Sequence, residues 1–465
     1  PGTTRRLLTV PELEYIRDNQ FPYQLALLKR REVLLSNWGH RDAENARRAK
    51  DELFGIQNTR KARDGAIAAL HDPEFFGAKI AAEAAFKKHL ADRADGTDAL
   101  AAFARIADAQ KAIAKIATRQ RLLEGLVAFN ADSFGLARHL LRAGDERPKP
   151  NGERLKEFGD ARRESFELQL FSEKPIHTDL ETVMLTEALT ILAELTGFND
   201  PLVQKVLAGQ SPANRAAALI NSTQVRDVAF RKRLHSGGAT AVKAANDPLI
   251  ELARLVDAEA RELRKQWEAA EETKQQAHAV IGRARFALEG PDRAPDATFT
   301  LRLSYGPVHG YEEGGRRIPA YTTIAGLYAR NAEHRDREPF NLPARWLERK
   351  TALDAATPFN FVHTPDIIGG NSGSPVVNRA GEFVGIIFDG NIQSLVGDFA
   401  YEDTQARAIS LDCRAIIAAL RNVYGADTLA DELLADPVTQ VAELQARGTV
   451  RPRLDALIEV HPLPG

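Results

Sequence analysis

From about Arg17 to Arg285 the chain is rich in Ala, Glu, Arg, Lys and Leu, and its apolar residues recur at helical spacing. So long a helical run restricts the fold more than any other feature. It requires a large α-helical body, placed ahead of whatever else the chain builds. In IHTDLE, Thr178 as N-cap and Glu181 three residues on read as a capping box. Val183, Met184, Leu185, Ala188, Leu189, Ile191, Leu192 and Leu195 follow at helical spacing, and Gly197 supplies a stop. A longer helix begins near Pro248, where Leu252, Val256, Ala260, Leu263, Trp267 and Ala270 form one stripe. Its length predicts two antiparallel neighbours. Between these helices and the earlier ones, RAGDERPKPNGERL (142–155) has two prolines and mixed charge, the composition of an exposed loop.

The character changes at GPDRA, 290–294. In ATFTLRLSYG, Phe299, Leu301, Leu303 and Tyr305 alternate with Thr298, Thr300, Arg302 and Ser304, which predicts a half-buried strand. A Gly-rich turn region follows at 306–315, and FVGIIFDGN reads as a strand buried on both faces, entered through a turn at RAGE, 379–382. The β region ends near Ser410. Ile416, Ile417, Leu420, Val423 and Tyr424 then mark a helix stopped by Gly425, and the last forty residues read as peripheral helix and tail. The fold class is therefore α+β and multi-domain: a helical domain over 1–289, a β domain over 290–425 and a C-terminal helix and tail over 426–465.

With 465 residues and 44% apolar composition, the chain can bury more than one core. Its 62 basic and 64 acidic residues leave a net charge of −2, which argues against nucleic acid as a partner. The lone Cys413 excludes an internal disulfide framework and leaves the redox compartment open. No apolar run reaches membrane-spanning length, no signal-peptide pattern stands at the N-terminus, and no metal-ligand cluster or nucleotide motif calls for a cofactor. The first residue is Pro1 and the only methionine is Met184, from which we expect a truncated N-terminus.

GGNSGSPV (369–376) carries the chemistry. At average residue frequencies G-N-S-G-S-P arises roughly once in ten million positions, so an ordinary Gly- and Ser-rich connection is the weaker reading. Glycines around Ser372 permit a turn that aims the amides of Gly370 and Ser372 at one point, an oxyanion hole. Ser374 leads through Pro375 into a strand and caps the turn. A serine hydroxyl needs a histidine base oriented by a carboxylate. Of the eleven histidines, His309, His334 and His363 lie in the β segment, and each reads as a surface or turn histidine without a route to Ser372.

PGTTRRLLT, TFTLRLSYG, YTTIAGLYAR, LPARWLERK, TPFNFVHTPDIIGGNSGSPVVNRAGEFVGIIFDGN and RAISLDCRAIIAALRNVYGADTLADELL together resemble the bacterial dipeptidyl-peptidase VII and XI family, in the same order along nearly the whole chain. The resemblance implies a chymotrypsin-like double β-barrel with a helical insertion, of which this chain would hold one barrel half. It also implies Ser372 as nucleophile, with Asp389 and Asn45 holding the ammonium of a peptide substrate. At Gly390, acid-specific members carry an arginine, so glycine implies an apolar rather than acidic penultimate residue. The family's triad histidine and aspartate have no counterpart here, so these 465 residues alone are expected to be inactive or nearly so. Periplasmic or cell-surface location and a homodimer follow from the resemblance alone. Two other readings stand beside it: a noncatalytic peptide-binding protein, and a glutamyl-type serine endopeptidase.

Overall fold

The computed structural model describes residues 2–93, 96–290 and 295–435, so the sequence reading of most of the tail falls outside the described residues. The chain divides into two compact units. One runs from Leu8 to Ala294; the other joins the stretch up to Leu7 to the residues from Pro295 onward. The boundary at 1–289 therefore shifts: the first residues leave the helical unit, because the backbone of Thr4 donates to Ala297 and that of Arg5 to Asp398.

The helical unit contains α1 (Val10–Tyr15), α2 (Phe21–Gly39), α3 (Ala43–His71), α4 (Pro73–Ala91), α5 (Thr97–Leu123), α6 (Asp132–Glu146), α7 (Arg163–Leu170), α8 (Thr178–Thr196), α9 (Pro201–Leu207), α10 (Pro212–Ser222), α11 (Val228–Ala244) and α12 (Pro248–Glu289). Its main core gathers Phe129, Phe134, Leu185, Leu189, Leu192 and Val256, among others.

Helix α12 lies where the sequence places it, but its two neighbours do not both run antiparallel. Arg119 reaches Glu259 and Lys274 reaches Gln110, so α5 is antiparallel to α12. Arg142 reaches Asp257 and Arg261 reaches Glu146, so α6 is parallel to it. The same bonds correct the first part of the exposed loop at 142–155, while 147–155 do run as a largely exposed connection without α-helix. Helix α6 continues to Glu146, and Arg142 is 2% exposed, clamped between Glu124 and Asp257. A buried guanidinium of this kind is tolerable only because carboxylates meet it.

The capping box at Thr178 is also corrected. The N-cap of α8 is His177, while Thr178 is inside the helix and receives Arg226 on its hydroxyl. Glu181 turns instead to α6, whose own N-cap Ala131 has no side-chain acceptor. It accepts from the amides of Asp132 at 3.0 Å and Ser133 at 2.8 Å, filling the role of the missing cap. Most of the predicted apolar positions of α8 are buried, and Gly197 ends it at φ +89°; Leu195 is exposed.

The second unit contains a hairpin, β1 (Tyr311–Glu313) and β2 (Arg316–Ile318), turned by Gly314 and Gly315, both at positive φ. Then come β3 (Tyr321–Thr323), α13 (Ile324–Glu333), α14 (Ala344–Glu348), β4 (Pro358–His363), β5 (Pro375–Val377), β6 (Phe383–Gly390), β7 (Ala408–Asp412), α15 (Cys413–Ala418) and α16 (Asp427–Leu434). Five strands form an antiparallel sheet in the order β3-β4-β7-β6-β5. The architecture is α+β.

Two strand expectations fail here. ATFTLRLSYG forms no strand: Phe299 takes φ +62°, and Leu301, Leu303 and Tyr305 are 100%, 86% and 87% exposed. Alternation specifies faces, but a strand also needs a neighbouring backbone, and the described residues offer only isolated bridges, at Thr3–Thr298 and Val308–His363. FVGIIFDGN is β6, but its second face is only partly covered: Gly385 and Ile387 are buried, while Val384 and Ile386 are half-buried and Phe388 is exposed.

Candidate functional site

The RAGE turn joins β5 to β6 and folds residue 372 back onto residue 388, so two positions distant in sequence meet. The bonds between Gly373 amide and Ile387 carbonyl at 2.8 Å, and between Ile387 amide and Ser374 carbonyl at 3.1 Å, fix the register. Within the loop, the Asn371 side chain accepts from the Ile368 amide at 3.1 Å, and the Ser374 amide donates to the Asn371 carbonyl at 2.9 Å. Gly370 at φ +96° and Gly373 at φ +87° take conformations that other residues rarely adopt.

Ser372 is exposed at the crest of this loop. Its hydroxyl donates to the Phe388 carbonyl at 3.2 Å. The amides of Gly370 and Ser372 donate to no group among the described residues, which leaves both as unengaged donors on the loop that carries the hydroxyl. Ser374 is tied through its backbone rather than by a capping hydroxyl.

The pairing of β6 with β7 slips between Ile387 and Asp389, leaving Phe388 as the extra residue of a bulge. Phe388 and Asp389 are consequently both exposed instead of alternating. Nothing in the sequence signals that bulge, yet it sets the carbonyl that receives Ser372 directly before Asp389. One Asp389 oxygen accepts from the Gly390 amide at 2.8 Å. A Cβ at Gly390 would lie 2.2 Å from Ser394 Oγ, so the space beside this glycine is already occupied by a hydroxyl that donates to the Asn391 carbonyl at 2.6 Å.

A cavity of about 20 Å³, room for about one water, adjoins Asp366, Ile367, Ser394, Gly397, Tyr401 and Arg407. The Arg407 side chain donates to the carbonyls of His309, Gly310, Asp403 and Ala406 at 2.6–2.8 Å, which pins the loop that walls this cavity. Sequence reasoning singled out neither Ser394 nor Arg407, because each is recognised only by what it touches.

Asn45 belongs to the helical unit, in the first turn of α3. Its Nδ2 donates to the Trp38 carbonyl at 3.3 Å, and its Oδ1 accepts from no group among the described residues. Among the β-unit histidines, His363 departs from the surface reading: it is 5% exposed on β4 and 2.8 Å from Ser410 Oγ, and burial pushes its pKa down to about 4. It is therefore neutral at physiological pH. His334 stacks on Phe340 with ring centres 3.6 Å apart, and His309 is exposed. Among the described residues no histidine ring bonds Ser372, no group of three or more His, Cys, Asp or Glu could hold a metal ion, and no helix is long and apolar enough to cross a membrane.

A family model described as Peptidase S46 matches residues 1–435. The chain is similar to dipeptidyl-peptidase 7 of Phocaeicola vulgatus, 36% identical over 166 residues, or 34% of this chain and 23% of that protein. It is also similar to the Asp/Glu-specific dipeptidyl-peptidase of Shewanella putrefaciens, 25% identical over 491 residues, or 93% of this chain and 63% of that protein. A crystal structure of Porphyromonas endodontalis DPP11 in complex with the dipeptide Arg-Glu shares the fold at a TM-score of 0.72 and 21% identity, covering 94% of this chain and 63% of that one. The chain thus spans less than two thirds of the length of these relatives.

Proposed function

Because the chain belongs to the peptidase S46 family, we propose that it serves a serine-type dipeptidyl aminopeptidase in which Ser372 is the nucleophile. The observation that carries this reading is the exposed Ser372 hydroxyl beside two unengaged amides on a glycine-shaped loop. A general base takes the Ser372 hydroxyl proton as Oγ attacks the carbonyl of the second peptide bond, and the amides of Gly370 and Ser372 receive the oxyanion as it forms; the C–N bond then breaks, the base returns the proton to the departing amine, and water releases the dipeptide from the Ser372 ester. Asp389 accepts the substrate's ammonium. Two extended residues span about 7 Å, so a fixed carboxylate measures the cleaved unit as a dipeptide. We read the five-stranded sheet as half of a chymotrypsin-like barrel pair. Gly390 gives the site an apolar penultimate preference, and location in the periplasm or at the cell surface and a homodimer complete the reading on family grounds.

The test is hydrolysis of dipeptidyl fluorogenic substrates by the protein expressed from its complete reading frame. Free N-termini should be cleaved and acetylated ones not. Ser372→Ala should abolish turnover, and Asp389→Asn should lower kcat/KM roughly tenfold to a hundredfold, the worth of a charge-assisted hydrogen bond. Turnover surviving Ser372→Ala would refute the reading. Peptide binding without turnover is the second reading, favoured by the lack of any histidine bonded to Ser372 among the described residues. Substrate bound but uncut by the complete protein would establish it.

A further inference from the structure

We infer that residues 2–7 form a strap that positions the nucleophile loop, with Arg6 as its latch; this rests on the assignment of Ser372 and the Gly370 and Ser372 amides above. The strap lies within the same compact unit as the loop. Its first residue sits directly on the loop backbone: a Cβ at Gly2 would fall 1.8 Å from the Gly369 carbonyl oxygen. From the loop's side the fit is as close, since a Cβ at Gly370 would lie 3.2 Å from Gly2 N and 3.1 Å from Phe299 Cζ. Gly2 in turn accepts from the Phe299 amide at 3.1 Å.

The other end of the strap holds the loop's other end. Both terminal nitrogens of Arg6 reach Asp366, one at 2.8 Å, in the bidentate geometry that fixes orientation as well as distance. The same side chain donates through Nε to the Gly397 carbonyl at 3.1 Å and through an Nη at 2.7 Å. Arg6 is held in place by Asp296, whose carboxylate accepts from the amides of Arg6 and Leu7, both at 2.9 Å, and from the Thr4 hydroxyl at 2.6 Å. Arg5 adds a bond to Asp398 at 2.8 Å. The backbone from Asp366 to Gly370, which leads into Ser372, is therefore pinned at both ends by one short segment. An oxyanion hole made of amides has no side chains to adjust, so its geometry depends on such pinning. Arg6 is a positioning residue in this arrangement: its bonds to Asp366 and Gly397 act on Ser372 through the loop backbone.

The experiment compares wild type, Arg6→Ala, Arg6→Lys and Gly2→Ala by hydrogen exchange of the peptides covering 366–374 and by steady-state kinetics on the complete protein. Arg6→Ala should raise exchange of that loop at least tenfold and lower kcat about tenfold or more while KM changes less than threefold. Arg6→Lys keeps the charge without the fork and should fall between the two. Gly2→Ala should displace the Gly369 carbonyl and give the same signature without touching a charge. Loop exchange and kcat within twofold of wild type in a folded Arg6→Ala protein would overturn the strap. Exchange is readable even if the wild type shows no turnover, so failure of the peptidase reading and failure of the strap give different results.

Discussion

Glu12 offers a quantitative test of how the helical unit is held at its first turn. Its carboxylate is 2% exposed and accepts from the Thr9 amide at 3.0 Å and the Thr9 hydroxyl at 2.9 Å. From α12 it meets His278 Nε2 at 3.0 Å and Lys274 Nζ at 3.1 Å. Burial alone would push the carboxyl up, but the His278 hydrogen bond and charge, the Lys274 charge and the Thr9 amide bring it from 4.5 down to about 2. At about 1.4 kcal/mol per tenfold change in acidity, the ionised group contributes roughly 3 kcal/mol to folding. Because the folded value is depressed, this stability is fully present above pH 4.5 and is lost as pH falls through about 2. Glu12→Gln retains shape and an acceptor for Thr9 but removes the charge. Urea unfolding followed by far-ultraviolet circular dichroism should show the variant weaker by about 3 kcal/mol at pH 5.5, with the gap narrowing through pH 4 and 3 and nearly closed at pH 2. An equal gap at pH 5.5 and pH 2 would refute the electrostatic reasoning, as would no gap at either.

Two further predictions concern the buried charges and the slot beside the nucleophile. Arg142→Ala leaves Glu124 and Asp257 without their shared guanidinium and should cost the helical unit about 3 kcal/mol in urea unfolding, whereas a loss under about 1 kcal/mol would show that the neighbouring arginines take over. Gly390→Arg should shift dipeptide preference toward acidic penultimate residues only when combined with Ser394→Gly, because a Cβ at residue 390 would fall 2.2 Å from Ser394 Oγ; an equal shift from the single variant would place the slot elsewhere.

Two Thr-x-x-Glu stretches show how much of a local signal depends on what surrounds it. At Thr9–Glu12 the glutamate does turn back to the threonine amide ahead of α1. At Thr178–Glu181 the same spacing does not cap α8, because Glu181 is drawn to the uncapped start of α6. Both sites satisfy free amides; which helix receives the carboxylate depends on which end lies within reach. The site follows the same division. The glycines around Ser372 were legible, since only their backbone freedom suits the turn, and so was the strand carrying Asp389. The bulge at Phe388 and the latch from Arg6 to Asp366 were not, because each joins residues remote in the chain; nor was the hydroxyl of Ser394 in the slot, which depends on how the turn after β6 folds back on Gly390.

What the sequence determined by itself was whatever a residue and its near neighbours can impose. The period of 3.6 gave α8 and α12, the positive-φ glycines gave the loop and the stops, and the shift near residue 290 gave the change from helix to strand. Tertiary structure alone decided who pairs with whom: Arg142 inside rather than in a loop, α6 parallel to α12, and the alternating 299–305 segment without a strand partner among the described residues. The physical reason is that backbone conformation is governed by local sterics, whereas the partner of a buried charge or an open strand edge is set by distances that exist only once the chain has folded.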